Sequence, residues 1–157
     1  MTFDNRVFVS PMCQYSAVDG FPSDWHLVHL GTRAIGTGAV IAEATAIRPE
    51  GRITHGCTGI WKDEHIAPWA RIAAYVRSQG AVPGIQLAHA GRKAATDVPW
   101  RGGAALAEGA WQTVAPSPLP FNKTDPTPHE LLTDEIAALL DSYVAAARRA
   151  KAAGFEL

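Results

Sequence analysis

The chain has 157 residues, with 14 Lys and Arg against 15 Asp and Glu, a formal net charge of -1 and 47% hydrophobic residues. This composition is typical of an ordinary globular protein. Nucleic acids and anionic membrane surfaces are bound by concentrated positive charge, so the balanced charge argues against both as partners. No apolar run approaches the roughly 20 residues that span a bilayer. The N-terminus has no apolar segment of the secretory type, which predicts a cytoplasmic location.

Cysteine and histidine give no sign of a disulfide framework or a metal site. The two cysteines, Cys13 and Cys57, form no Cys-x-x-Cys pair, so any role is that of a thiol. His26 and His29 stand three residues apart on a predicted helix, which could place two imidazoles on one face. Because no carboxylate or third ligand is close in sequence, structural roles are favoured and no metal is expected.

Hydrophobic periodicity predicts alternating strands and helices. The predicted strands cover residues 7–9, 39–47 and 82–88, and the predicted helices begin near Ser23, Asp63 and Thr133. In the last helix one apolar stripe is expected, formed by Ile136, Leu139, Leu140, Tyr143, Val144 and Ala147. Residues 155–157 are expected to begin a fourth strand.

The segment between the third strand and the last helix is expected to be a long excursion. Residues 91–132 hold six of the 11 prolines and little apolar periodicity. Loops of this length are usually functional or disordered.

This order of elements implies a parallel sheet with right-handed crossovers, either an open doubly wound sheet or part of a barrel. The Gly-rich turn that marks open nucleotide-binding sheets is absent after the first strand, which favours the barrel. A complete eight-stranded barrel takes about 250 residues, so this chain would supply only part of one.

Ligands collect at the carboxyl ends of parallel strands, which directs attention to residues 10–15, 43–47 and 86–93. If Ile85 and Leu87 face the helices, Gln86 lies on the opposite face beside small residues, where a ligand would fit. The alternative, of about equal weight, is an amide satisfied by neighbouring backbone.

Other polar side chains at the strand ends are weaker indications. Cys13 could meet a ligand, although most free cysteines are buried and inert. Tyr15 could donate a hydrogen bond to a substrate, although packing is the commoner role. Arg92 and Lys93 suit an anionic ligand, although paired loop charges are usually solvated.

Read together, these segments resemble the old yellow enzyme family, and within it the cysteine-containing bacterial branch that includes the xenobiotic reductases. The resemblance rests on Ser-Pro-Met-Cys-Gln-Tyr at 10–15, Glu-Ala-Thr-Ala at 43–46 and Gln-Leu-Ala-His-Ala-Gly-Arg-Lys at 86–93. It implies an α/β fold, a (β/α)8 TIM barrel. Residues 1–157 would be the N-terminal part of a single FMN-binding domain, about its first three and a half β/α units.

The resemblance also implies an activity and a cofactor. Members of the family bind FMN noncovalently, reduce it with NADPH or NADH, and pass a hydride to an activated alkene such as an enone. A small-molecule alkene is therefore the expected substrate, and a homo-oligomer is a further expectation.

The residue roles that the resemblance implies fall on the same strand ends. Ser10, Pro11, Met12 and Cys13 would line the flavin, Ala44 would pack on it, and Gln86 would hydrogen-bond its pyrimidine edge. Cys13 and Tyr15 are the expected catalytic residues. Cys13 would tune the flavin's potential without acting as a nucleophile, and Tyr15 would bind the substrate carbonyl.

Three alternatives remain at this point. The favoured one is the N-terminal piece of an ene reductase that is active only in a longer parent chain, since the family's His-x-x-His or His-x-x-Asn pair and its tyrosine proton donor would follow position 157. The second is a non-catalytic half-barrel that binds flavin weakly or self-associates. The third is a flavin-free barrel isomerase or aldolase with Glu43 as its base.

Overall fold

The computed structural model describes residues 1–157 and contains a three-stranded parallel sheet in the order β1-β2-β3. The strands are β1 (Phe8–Val9), β2 (Ala39–Ala46) and β3 (Val82–Ala88). Helix α1 (Asp24–Ala34) joins β1 to β2, and α2 (Ile66–Ser78) joins β2 to β3. Parallel neighbours need such crossover connections, and the predicted order of strands and helices is confirmed.

Strand β2 is the centre of the sheet and is buried along most of its length. Its pairing with β3 shifts register between Ala42 and Thr45, where Glu43 and Ala44 form an irregularity. On the far side of β3, the Ile85 amide donates to the Leu157 carbonyl at 2.9 Å, and the Glu156 amide donates to the Pro83 carbonyl at 2.9 Å. Residues 155–157 therefore begin to pair as a fourth strand, as predicted.

The last helix, α3, covers Thr133–Ala152. It begins at Thr133, as predicted, but its N-cap is Leu132, so Thr133 is the first helical residue and not the cap that its side chain suggested. The predicted single apolar stripe is also wrong. Leu139 and Tyr143 pack against the core, but Leu140 is 61% exposed. The contact face runs instead through the small side chains of Ala146 and Ala150, which allow close approach to the sheet.

The hydrophobic core lies between the sheet and the three helices. It is built around Trp69, Ile72 and Val76 of α2, Leu30 and Ala34 of α1, Val40 and Ala42 of β2, Ala146 and Ala150 of α3, and Phe155. Trp69 is fully buried, and its indole N–H donates to the Gly59 carbonyl at 3.1 Å.

Residues 91–132 contain short elements only. These are two single-turn 3-10 helices, Gly91–Lys93 and Pro99–Arg101, and two strands, β4 (Val114–Ala115) and β5 (His129–Glu130), that pair in parallel. None of the helices, the 20-residue α3 included, has both the length and the hydropathy needed to cross a membrane.

The segment 91–132 is fixed to the loop after β2 by aromatic contacts. The guanidinium of Arg52 lies 5.3 Å from the ring centroid of Trp61 and 5.0 Å from that of Trp111. The indole N–H of Trp111 donates to the Glu50 carbonyl at 2.8 Å. Cation–π contacts of this kind are each worth about 0.5–1 kcal/mol at exposed sites.

Candidate functional site

Residues expected to bind a flavin lie at the carboxyl ends of three neighbouring strands. Ser10 to Cys13 directly follow β1, Ala44 lies near the end of β2, and Gln86 lies near the end of β3. Ser10, Met12 and Gln86 are exposed, whereas Pro11, Cys13 and Ala44 are half-buried. Since the strands are parallel and adjacent, their ends share one edge of the sheet.

Gln86 lies on the open face of β3. Ile85 and Leu87 both pack against the core between sheet and helices, so Gln86 lies on the other face. Its side-chain amide makes no hydrogen bond within the chain and is exposed. The alternative of an amide satisfied by neighbouring backbone is therefore wrong. The side-chain amide of Gln86 is free to bind a ligand, with its NH2 group as donor and its oxygen as acceptor.

Cys13 carries a protonated thiol. Burial, followed by the negative charge of Glu43, raises the pKa of Cys13 to about 11, although the Ala44 backbone amide favours the thiolate. At neutral pH the thiol is therefore a poor nucleophile but remains able to form weak hydrogen bonds.

Tyr15 is held in an unusual backbone conformation. Its φ of 51° is in the left-handed region, which costs a non-glycine residue about 1–2 kcal/mol. Its ring meets that of Trp100 edge-on, with centroids 5.8 Å apart and planes at 73°. Burial and the neighbouring Cys13 raise the pKa of the phenol, so the hydroxyl stays protonated and can donate a hydrogen bond.

A cavity of about 610 Å³ opens beside Tyr15. Its walls come from the loop after β2 and from the segment 91–132, and they include Ile53, Thr54, Lys93, Trp111, Thr113 and Phe121. The sequence analysis missed these walls, because they are assembled from loops distant in sequence. The only signal was the presence of two aromatic residues, Trp111 and Phe121, among them.

The two cations after β3, at the start of the segment 91–132, both contact its later residues. Arg92 donates to the Ser117 hydroxyl at 3.0 Å, and Nζ of Lys93 lies 4.2 Å from the ring centroid of Phe121. Lys93 remains exposed at the cavity wall.

Glu43 has no free carboxylate oxygen. Oε2 accepts the Gln14 backbone N–H at 3.1 Å, and Oε1 lies 3.2 Å from Nε2 of His26. The carboxyl group is 3% exposed, which does not suit the base of a flavin-free isomerase. No carboxylate is close to His26 in sequence, but the fold brings Glu43 to it from another element.

These residues fit the ring of a flavin. A flat heteroaromatic ring needs small side chains beneath it and polar groups at its edge. Ala44, Ala88 and Gly84 are the small side chains that could lie beneath the ring. The unpaired amide of Gln86 offers both a donor and an acceptor for its edge.

Comparison with known proteins agrees with this arrangement. The whole chain is 43% identical to 40% of an NADH:flavin oxidoreductase of Gibberella zeae. It is 42% identical to 43% of an NADPH dehydrogenase of Geobacillus thermodenitrificans. It also superposes, with a TM-score of 0.85 and 30% identity, on 45% of morphinone reductase in its complex with tetrahydroNAD.

The chain thus spans about two-fifths of the length of the curated relatives it matches. The predicted fold class is confirmed, because the chain has the architecture of the first part of an old yellow enzyme-type (β/α)8 barrel. The resemblance found in the strand-end motifs is confirmed as well. The sequence model of the NADH:flavin oxidoreductase / NADH oxidase family matches residues 1–157, and the chain belongs to this family.

Proposed function

We propose that this chain is the N-terminal part of an FMN-dependent NAD(P)H oxidoreductase, an ene reductase that reduces activated alkenes such as enones. Activity is proposed for the complete barrel, of which residues 1–157 form one part. Family membership and the relatives' names support the reaction class.

The observation that carries the proposal is the unpaired amide of Gln86 on the open face of β3, beside the exposed ends of β1 and β2. Gln86 would bind the pyrimidine edge of the flavin, Ser10, Pro11, Met12 and Cys13 would line the ring, and Ala44 would pack on it. When bound, FMN would supply the chemistry of hydride transfer from NADPH or NADH to the alkene carbon β to the electron-withdrawing group, while a proton is added at the other carbon of the double bond.

Two side chains of this site would act on the reacting groups. The protonated thiol of Cys13 would modulate the flavin's potential by its dipole, since its pKa of about 11 leaves little thiolate. The protonated hydroxyl of Tyr15 would donate a hydrogen bond to the substrate carbonyl and withdraw charge from it. The adjoining cavity of about 610 Å³ would receive the rest of the alkene.

Location and assembly are part of the proposal. NADPH and NADH are metabolites of the cytoplasm, where we place the enzyme. Self-association is proposed because Ile136, Leu140 and Val144 leave apolar surface exposed along α3.

A titration of FMN fluorescence tests the cofactor site directly. Gln86→Ala removes the edge contacts, so FMN should bind about tenfold more weakly, as expected for one or two net hydrogen bonds. Gln79→Ala is the matched control, because Gln79 is a half-buried residue at the end of α2, remote from the strand ends, and its side-chain amide is bonded only to Ser78. Equal FMN affinity in the Gln86→Ala variant would remove Gln86 from the site.

The substrate role of Tyr15 is tested in a complete barrel that contains residues 1–157. Tyr15→Phe should slow reoxidation of the flavin by an enone more than reduction of the flavin by NADPH. Stopped-flow absorbance separates the two half-reactions. Equal slowing of both would refute the assignment.

A further inference from the structure

A buried acid–base pair, Glu43 and His26, lies directly behind the loop that follows β1. The two side chains are 3% and 1% exposed, and Nε2 of His26 lies 3.2 Å from Oε1 of Glu43. The other oxygen of Glu43 accepts the backbone N–H of Gln14 at 3.1 Å. One carboxylate therefore joins α1, β2 and the loop that carries Cys13 and Tyr15.

The hydrogen bonds of His26 fix the orientation of its ring. Nδ1 accepts the backbone N–H of Ser23, the residue that precedes α1, at 2.9 Å. A ring nitrogen that accepts a hydrogen bond carries no proton, so the proton of the neutral ring lies on Nε2, the atom facing Glu43. Nε2 makes no aligned hydrogen bond within the chain, and its closest polar contact is Oε1 of Glu43, at 3.2 Å.

Packing alone does not explain a buried acid–base pair, because burying it is unfavourable for the free energy of folding. Burying a carboxylate is unfavourable unless hydrogen bonds compensate, and apolar side chains of similar volume often give equal or greater stability. The backbone of this loop has an unfavourable conformation, since the φ of Tyr15 is 51°. The pair stabilises the loop in that conformation.

We propose that Glu43 and His26 are positioning residues for the flavin-facing loop. Glu43 holds the Gln14 amide, and His26 holds Glu43, so that Cys13 and Tyr15 keep fixed places. The consequence for hydride transfer rests on the proposed function, whereas the geometry of the loop does not depend on bound flavin.

The charge of Glu43 also acts on Cys13. After burial, it is the largest influence that raises the pKa of the thiol. Cys57 raises the pKa of Cys13 further, whereas the side chain of Tyr15 and the backbone amide of Ala44 lower it. Burial lowers the pKa of His29 on α1, and the nearby charge of Arg33 lowers it further, whereas the charge of Glu43 raises it.

The first test is the pH profile of Cys13 alkylation by iodoacetamide, read by peptide mass spectrometry in the flavin-free chain. Glu43→Gln removes the charge but keeps an oxygen for Gln14, so alkylation at pH 8.5 should become about threefold faster or more, because thiolate is the reactive form. Glu50→Gln is the control, because Glu50 pairs with Arg48 elsewhere. An unchanged profile in folded Glu43→Gln would overturn the electrostatic role.

The second test reads the loop itself. His26→Phe removes the partner of Glu43, and the Gln14 amide should then exchange with solvent at least about tenfold faster, since local opening costs less. Exchange as slow as in the unaltered protein would overturn the positioning role, whether or not Glu43→Gln folds. If the unaltered protein does not bind FMN, but the alkylation and exchange rates of the variants change as expected, the proposed function is contradicted and the positioning role is not.

Discussion

The backbone carbonyl of Tyr15 packs directly on Gly56, so closely that a Cβ at Gly56 would overlap it. Two residues further on, the Ala17 amide donates to the Gly56 carbonyl at 2.9 Å. The loop after β2 therefore serves as the support on which Tyr15 rests.

Gly56→Ala should force these two loops apart. We expect a loss of about 1–3 kcal/mol in the free energy of unfolding, as for other overpacked sites, measured by urea denaturation. Ser16→Ala, an exposed change in the same loop, should cost less than about 0.5 kcal/mol. Equal stability of the two variants would contradict the packing of Tyr15 on Gly56.

Trp69 should be the most sensitive core position. Trp69→Ala removes a fully buried indole and its hydrogen bond to Gly59, so we expect a cost of about 3–5 kcal/mol or failure to fold. Trp100→Ala removes a tryptophan that is 67% exposed and should cost less than about 1 kcal/mol. Thermal unfolding, monitored by circular dichroism, compares the stabilities of the two variants. Similar losses of stability in both would contradict the burial of Trp69 in the core.

Arg52 should control the attachment of the segment 91–132. Arg52→Ala removes the cation between Trp61 and Trp111, so limited proteolysis should cut within residues 100–128 faster than in the unaltered chain. Arg33→Ala is the control, because the Arg33 side chain hydrogen-bonds only the His29 carbonyl of its own helix. Identical cleavage rates for the two variants would show that Arg52 does not hold the segment.

His65 should make the protein less stable in acid. The side chain is fully buried, Nε2 is bonded to the Asp19 carbonyl, and Nδ1 has no partner. Burial lowers the pKa of His65 below its ordinary 6.5, so the unfolded chain binds the proton more readily. Stability is therefore complete above pH 6.5 and is lost as the pH falls below it.

The variant His65→Gln tests this linkage, because it retains a donor for Asp19 but does not titrate. Urea denaturation at pH 7.5 and at pH 5.5 gives the change in the free energy of unfolding. The change should be smaller in His65→Gln than in the unaltered chain. A change of the same size would assign the acid sensitivity to other groups.

Local pattern was enough to predict the parallel sheet, and it placed Gln86 on the open face on the condition that Ile85 and Leu87 face the helices, with a backbone-satisfied amide as an equal alternative. β2 and β3 are apolar at the positions that pack against the helices. Because side chains alternate along a strand, the residues between them lie on the other face of the sheet. The strand-end motifs likewise carried the family resemblance.

What could not be predicted depends on contacts between distant parts of the chain. The pairing of Glu43 with His26 and the place of Arg52 between two tryptophans arise only when separate loops fold together. The buried face of α3 was also mispredicted, because several apolar positions on that helix compete and the small side chains of Ala146 and Ala150 permit the closest packing.

The central claim is that the carboxyl ends of β1, β2 and β3 bind the flavin ring. Amide chemical shifts of the isotope-labelled chain, recorded while FMN is added, test it most directly. We predict saturable shifts that cluster at Cys13, Ala44 and Gln86 and leave α3 unchanged. Shifts confined to the walls of the cavity beside Tyr15, or no saturable shifts at all, would contradict the claim.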